Sequence, residues 1–429
     1  MKRTSKFIVK LTVVCLVISL TYMIHNAFSS MRDSLEDAQI MATRSEKVTV
    51  LKAYMGAAEN LFKNVDNSFE DMYNFKVDFR HLKKNKSKKF IYPKHEVEIW
   101  GKASIGEYLW SHILDGNSTT YANGLIKHGE IKIKNLHFRY RSGPGIVQNT
   151  VPTSVKNLVL VLNGKDDVKI KFSKTWLEYL VHFKNLKNVA VVLLGDEKCD
   201  NNWILQHLKT RGGVVDIVFV TYDSKLVDNK EIYQWPLGVA TYRGFPVLGA
   251  HHVNLDVARQ HLCSFMGTVY RNTSREVLNN MLKRSSKCFV ASRETWVPVE
   301  TFESMSRYIR QMTDSDITLN PVGQNTECYR IYEALSLGTV PVVEDVATSK
   351  DCDVENSQTP LRLLKEYNAP LIYVKNWTDL NRILDTEEKL SLEKKIERRK
   401  KVFNWYEEFK LKMKNRFVQV IKKNFFKEE

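Results

Sequence analysis

Residues Asp316–Asp345, DITLNPVGQNTECYRIYEALSLGTVPVVED, decide the fold of this chain. Ile317–Leu319 reads as a short strand that runs into Pro321-Val322-Gly323, a polar turn, and a helix predicted to start near Thr326, a favoured N-cap type. A second apolar strand, Val340–Val343, follows that helix. Strand, glycine loop, helix and strand make a βαβ unit, which predicts a parallel sheet. The same unit builds an anion site. Gly323 admits close backbone approach, Asn325 and Thr326 sit in the turn, and the N–H groups and dipole at the helix start favour phosphate. Arg330 and Glu333 are three apart and share a helix face, which places one for phosphate oxygens and the other for ribose hydroxyls. The competing reading is an ordinary i, i+3 surface ion pair.

Outward from this unit, strand-like and amphipathic segments alternate from Val97 onward. The first half offers Asn157–Leu162, Val189–Leu194 and Val214–Val220, with helical patterns around Thr175–Phe183 and Trp203–Leu208. The second offers Leu262–Phe265, Lys287–Ala291, Asp316–Leu319, Val340–Val343 and Leu371–Val374. Such continuous apolar strands imply sheets covered on both faces. Periodicity lapses around Pro246–Val257, so the expectation is two doubly wound, Rossmann-like α/β domains, 93–248 and 249–386. His251 and His252 lie in that lapse with no acidic or cysteine neighbour at ligand spacing and read as linker residues. A long helix, Leu390–Phe426, closes the chain with an apolar stripe including Phe403, Tyr406, Phe409, Met413 and Phe417. Residues 389–429 carry 14 Lys/Arg against 6 Asp/Glu. A basic amphipathic helix can lie on a membrane; packing of its stripe on the two domains is the preferred reading.

The 429 residues suit two or three domains, and 43% hydrophobic content excludes a disordered chain. Sixty-five basic against 49 acidic residues leave +16, which favours anionic partners without choosing among them. Phe7–Ile24, FIVKLTVVCLVISLTYMI, is just long enough to span a bilayer. Lys2, Arg3, Lys6 and Lys10 crowd its start while Asp33, Glu36 and Asp37 follow it, so the positive-inside rule predicts a type II signal anchor. This divides the N-terminal part into a cytosolic tail (1–6), an anchor (7–24) and a polar stem (25–92) ending in a lysine cluster at 83–89. Four N-x-[ST] sequons, at Asn85, Asn117, Asn272 and Asn376, agree with a lumenal body. The five cysteines beyond the anchor lack zinc-ligand spacing and fit one or two disulfides plus a free thiol. Anchor and sequons together argue against a nucleic-acid partner.

The Asp316–Asp345 segment resembles the nucleotide-sugar-binding half of exostosin-type glycosyltransferases. Their R-x-x-E-A-x-x-x-G-x-x-P-V pattern stands here as Arg330, Glu333, Ala334, Gly338, Pro341 and Val342, with Phe265, Gly267 and Arg275 as the upstream partner. Cys328 departs from it, since many members carry serine there. Ile99–Leu109, Val191–Trp203, Gln234–Arg243 and Asn325–Ala334 are similar to one branch of the family, which acts on the O-mannosyl glycan of dystroglycan. The resemblance covers 95–425 and not the stem. It implies a Golgi type II enzyme of GT-B arrangement, transferring xylose from UDP-xylose to a ribitol-phosphate-bearing glycan with inversion. The Golgi membrane and other glycosyltransferases of the pathway are its implied partners.

Such a transfer needs a general base beside the acceptor hydroxyl and stabilisation of the departing diphosphate. Arg275 or Arg330 can supply the second. For the base, Asp196 and Glu197 follow the strand Val189–Leu194, beyond whose C-terminal end an open α/β sheet places its site; Glu107 is the runner-up, and helix capping and a solvent-facing position are their ordinary roles. Lys165 and Arg243, also beyond strand ends, are candidates for the acceptor phosphate. No cofactor is called for beyond the UDP-sugar donor. Asp314-Ser315-Asp316 spells the manganese motif D-x-D but opens its strand rather than closing it, so it reads as strand entry, with divalent-metal dependence left open. The competing readings are another exostosin-like UDP-sugar transferase, glucuronyl or galactosyl, and, from a different class, a non-catalytic lumenal protein that binds glycans or scaffolds other transferases.

Overall fold

The computed structural model describes residues 95–428, except 284, 298 and 355–358. The expected tail, anchor, stem and Asn85 lie outside the described residues. Two sheets organise what is described. The first has eight strands: β1 (His95–Gly101), β2 (Thr119–Tyr121), β3 (Ile126–Ile133), β4 (Leu136–Ser142), β5 (Asn157–Asn163), β6 (Asn188–Leu194), β7 (Ile217–Val220) and β8 (Ile232–Gln234), in the order β2-β3-β4-β1-β5-β6-β7-β8. From β4 to β8 neighbours are parallel, whereas β3 pairs antiparallel with β2 and β4. The second has five parallel strands: β9 (His261–Thr268), β10 (Cys288–Arg293), β11 (Ser315–Asn320), β12 (Val340–Glu344) and β13 (Ile372–Val374), ordered β10-β9-β11-β12-β13. Both lobes are thus Rossmann-like, the first with an antiparallel edge that its sequence did not announce.

The pleat explains why β5 reads as solidly apolar. Leu158, Leu160 and Leu162 join an outer core with Trp176 and Leu177 of the helix Asp167–Tyr179. Val159 and Val161, one residue out of phase, join a larger core on the other face. That larger core continues into the second lobe, and the connector is the 35-residue helix Leu392–Phe426. Its Phe417 packs on Phe138, Phe219 and Trp235 of the first lobe. Eight residues earlier, Phe409 packs on Tyr332 and Tyr367 of the second. The apolar stripe therefore lies on protein.

Two details differ from expectation for local reasons. The helical pattern at Trp203–Leu208 is a 3₁₀ segment, Asn202–His207, and the following strand begins only at Ile217, after an isolated bridge between Leu208 and Val215. The helix after the glycine loop starts at Tyr329 with Cys328 at its N-cap, rather than at Thr326. Thr326 is buried, and its hydroxyl donates to the Val346 carbonyl instead of capping. Two disulfides form, Cys199–Cys352 between the lobes and Cys263–Cys288 across the paired strands β9 and β10, leaving Cys328 as a free thiol.

Candidate active site

The C-terminal ends of both parallel sheets open onto one cleft of about 1080 Å³. Lys165, Glu197, Tyr222 and the 237–243 loop reach it from beyond β5, β6, β7 and β8, and Gly267, Arg293 and Val322–Asn325 from β9, β10 and the loop after β11. In the second sheet strand order reverses between β9 and β11, the topological switch point where open α/β sheets hold their ligands.

Two guanidiniums stand at that point. Arg275, near the start of the helix Ser274–Leu282, donates from Nη1 to the Thr268 carbonyl at 3.0 Å, while its Nε is buried without a partner. Arg330, on the helix Tyr329–Ser336, lies with its Cζ 5.6 Å from the centre of the Phe265 ring, and its Nε and Nη1 are buried and unpartnered. Burial lowers the Arg275 pKa, and the neighbouring Arg330 charge lowers it further. Among the described residues neither arginine forms an ion pair. Glycine makes the room: a Cβ on Gly267 would sit 2.6 Å from Arg330 Nη2, and one on Gly323 would sit 2.5 Å from Arg275 Nη2. Gly323 thus admits an arginine, a role its place in the loop did not reveal. Two desolvated cations with unused donors are a site for a doubly charged anion.

Glu333 makes no surface pair with Arg330. It is 4% exposed; one oxygen accepts from the Ala240 N–H at 3.0 Å and the other from the Tyr308 hydroxyl at 2.6 Å, so it ties the first lobe's loop to the second. Asn325 does similar work, donating to the Glu197 carbonyl at 2.7 Å and accepting from the Glu327 N–H at 2.8 Å beside the interlobe disulfide. Lys165 and Arg243 line the cleft, but each has a carboxylate already, Lys165 with Glu197 and Arg243 with Glu300 at 3.5 Å. The Arg243 guanidinium also lies 5.6 Å from the Trp296 ring and 5.5 Å from that of Tyr242.

Asp196 and Glu107 do not line the cleft. Asp196 accepts from the Lys198 N–H at 2.8 Å, closing a turn, and Glu107 pairs with Lys127 at 3.2 Å. Asp314 is the C-cap residue of the helix Phe302–Thr313, while Asp316 is buried between Arg399 and Lys395 of the C-terminal helix. Asn117, Asn272 and Asn376 are all exposed.

One carboxylate escaped sequence reasoning. Glu327 lines the cleft, 6% exposed, and burial pushes it up to about 7 against its bonds with Tyr332 and the Leu237 backbone. Nothing in the local pattern marks it, because its burial depends on Leu237, ninety positions earlier.

Two Rossmann-like lobes facing one cleft, with unpaired arginines at the switch point, define a two-lobed α/β protein built to hold an anionic ligand between its halves. Residues 97–236 match the family described as "RXYLT1 N-terminal domain" and residues 242–426 that described as "RXYLT1 C-terminal domain". The chain belongs to the ribitol-5-phosphate xylosyltransferase family. It is 47% identical to Ribitol-5-phosphate xylosyltransferase 1 of Danio rerio over 340 residues, 78% of each chain. With the proteins of the same name from Mus musculus and Homo sapiens it shares 44% and 42% identity, over 84% of this chain and 83% of theirs.

Proposed function

We propose that the protein is a glycosyltransferase of GT-B arrangement that moves xylose from UDP-xylose to ribitol-5-phosphate on the O-mannosyl glycan of dystroglycan, with inversion. The observation that carries the donor side is the pair of unneutralised guanidiniums, Arg275 and Arg330, at the switch point. They face the diphosphate and take up the charge that grows on it as the sugar departs. Glu333 is assigned to the ribose, with Gly323, Asn325 and Thr326 shaping the loop. Lys165 and Arg243 are assigned to the acceptor phosphate, which would exchange with Glu197 and Glu300 as their partner. The family relationship supports the xylosyl and ribitol-phosphate parts of this reading.

The same reading places the enzyme in the Golgi membrane as a single-pass type II protein, with glycans on Asn85, Asn117, Asn272 and Asn376. The deciding experiment is a screen of the purified protein against UDP-sugars with a ribitol-5-phosphate acceptor. UDP-xylose should give transfer well above the other donors. Equal or better use of UDP-glucuronic acid or UDP-galactose overturns the donor assignment.

A further inference from the structure

Inverting transfer leaves one role unfilled, because the acceptor hydroxyl must lose its proton as it attacks. Five glutamates line the cleft, with no aspartate or histidine among the described lining residues. Four are poorly suited. Glu197 is ion-paired to Lys165. Glu300 bonds Arg293, and although burial pulls it upward, Arg293, Ser304 and Arg243 together hold it below the usual carboxylate range. Glu303 stands exposed on the rim, in the first turn of its helix. Glu333 has both oxygens engaged by the bonds that join the lobes.

Glu327 differs in its charge surroundings and in its place beside Arg330. It has no cationic partner among the described residues. The Leu237 N–H at 2.9 Å and the Tyr332 hydroxyl at 2.5 Å both donate to Oε1. Those two bonds, with a further one from the Tyr222 backbone, fix the carboxylate in the cleft wall. Its wider surroundings are uncharged or anionic: the phenol of Tyr108, and Asp223, itself engaged by Gln234 and the Arg362 N–H. The residue lies three positions before Arg330, on the same wall of the cleft.

We propose that Glu327 is the general base of the transfer. The acceptor oxygen forms its bond to the anomeric carbon as the bond from that carbon to the diphosphate breaks. UDP leaves with the electron pair, and the hydroxyl proton passes to the carboxylate of Glu327. Burial supports the assignment, since a carboxyl raised to about 7 is matched to proton transfer near neutral pH.

The inference rests on the transferase reading, so the test separates the two. Wild type, E327Q and E327D are compared as full chains, with UDP affinity measured by calorimetry and turnover measured from pH 5 to 9. Wild-type kcat/KM should fall about tenfold per pH unit below about 7. E327Q should bind UDP within about threefold of wild type, lose at least about 100-fold in kcat, and lose the acid limb. E327D should keep an acid limb at reduced kcat. More than about a tenth of wild-type kcat in E327Q, or an acid limb that survives in it, overturns the assignment. Should E327Q not melt cooperatively, E327D decides: an unchanged kcat counts against Glu327, and a clear loss with UDP affinity retained counts for it. If wild type turns over another UDP-sugar, the donor reading fails and the same comparison with that sugar still tests Glu327.

Discussion

Arg330 stands in the cleft wall without an ion pair among the described residues, and Glu333, one helical turn later, accepts from two donors. The same kind of truncation should therefore show first in binding for one and first in stability for the other. Arg330→Ala should weaken UDP binding by about 1.5–3 kcal/mol in calorimetry, the value of a hydrogen bond to a charged group, without lowering the melting temperature. Glu333→Ala should lower stability by about 1–3 kcal/mol in urea unfolding, because the Ala240 N–H and Tyr308 hydroxyl lose their acceptor. Glu327 adds a pH dependence. Its folded pKa is raised from the ordinary 4.5 to about 7, so between those values the folded state binds more protons than the unfolded one. Its contribution to stability must then fall as pH rises through that interval. Urea midpoints at pH 5 and pH 8 should differ less in E327Q than in wild type.

The helix Leu392–Phe426 holds elements that neither sheet holds alone. Phe417→Ala should cost about 3–5 kcal/mol, because its ring is fully buried against three aromatic residues of the first lobe. A denaturant midpoint unchanged within error would show that the contact carries no stability. This helix, β5, β6 and the unit from β11 to β12 were legible because their patterns reflect burial: continuous where both faces are covered, stripe-like where one is. The edge β2–β4 was not. IKHGEIKI of β3 is half-exposed and polar, so its alternation has little apolar contrast to display. At the site, Arg330 and the glycine loop could be read because chemistry and spacing sit in one stretch. Glu327 could not be, since a long-range neighbour makes it unusual. The pairing of Lys165 with Glu197 was hidden for the same reason, thirty-two positions separating two residues that share a cleft wall.

Across the whole molecule, the surface must be compatible with the proposed lumenal, glycosylated state. Asn117, Asn272 and Asn376 are exposed, so endoglycosidase should increase the gel mobility of the secretory-cell protein, and replacing all four sequon asparagines with Gln should abolish that shift. An unchanged band in the untouched protein would reverse the proposed topology. Among the links that join the lobes are the Cys199–Cys352 disulfide, the Glu333 bridge and the continuous core under the long helix. The last of these bears on how the protein is made. Phe426 stacks on His95 with ring centroids 3.9 Å apart, and Glu428 receives the side-chain amide of Asn135 at 2.7 Å. Translation delivers β1 more than three hundred codons before the residues that cover it. The first lobe therefore lacks this part of its cover until the ribosome has nearly finished. A premature stop codon anywhere in the helix would spare every strand and still leave both halves without their clasp.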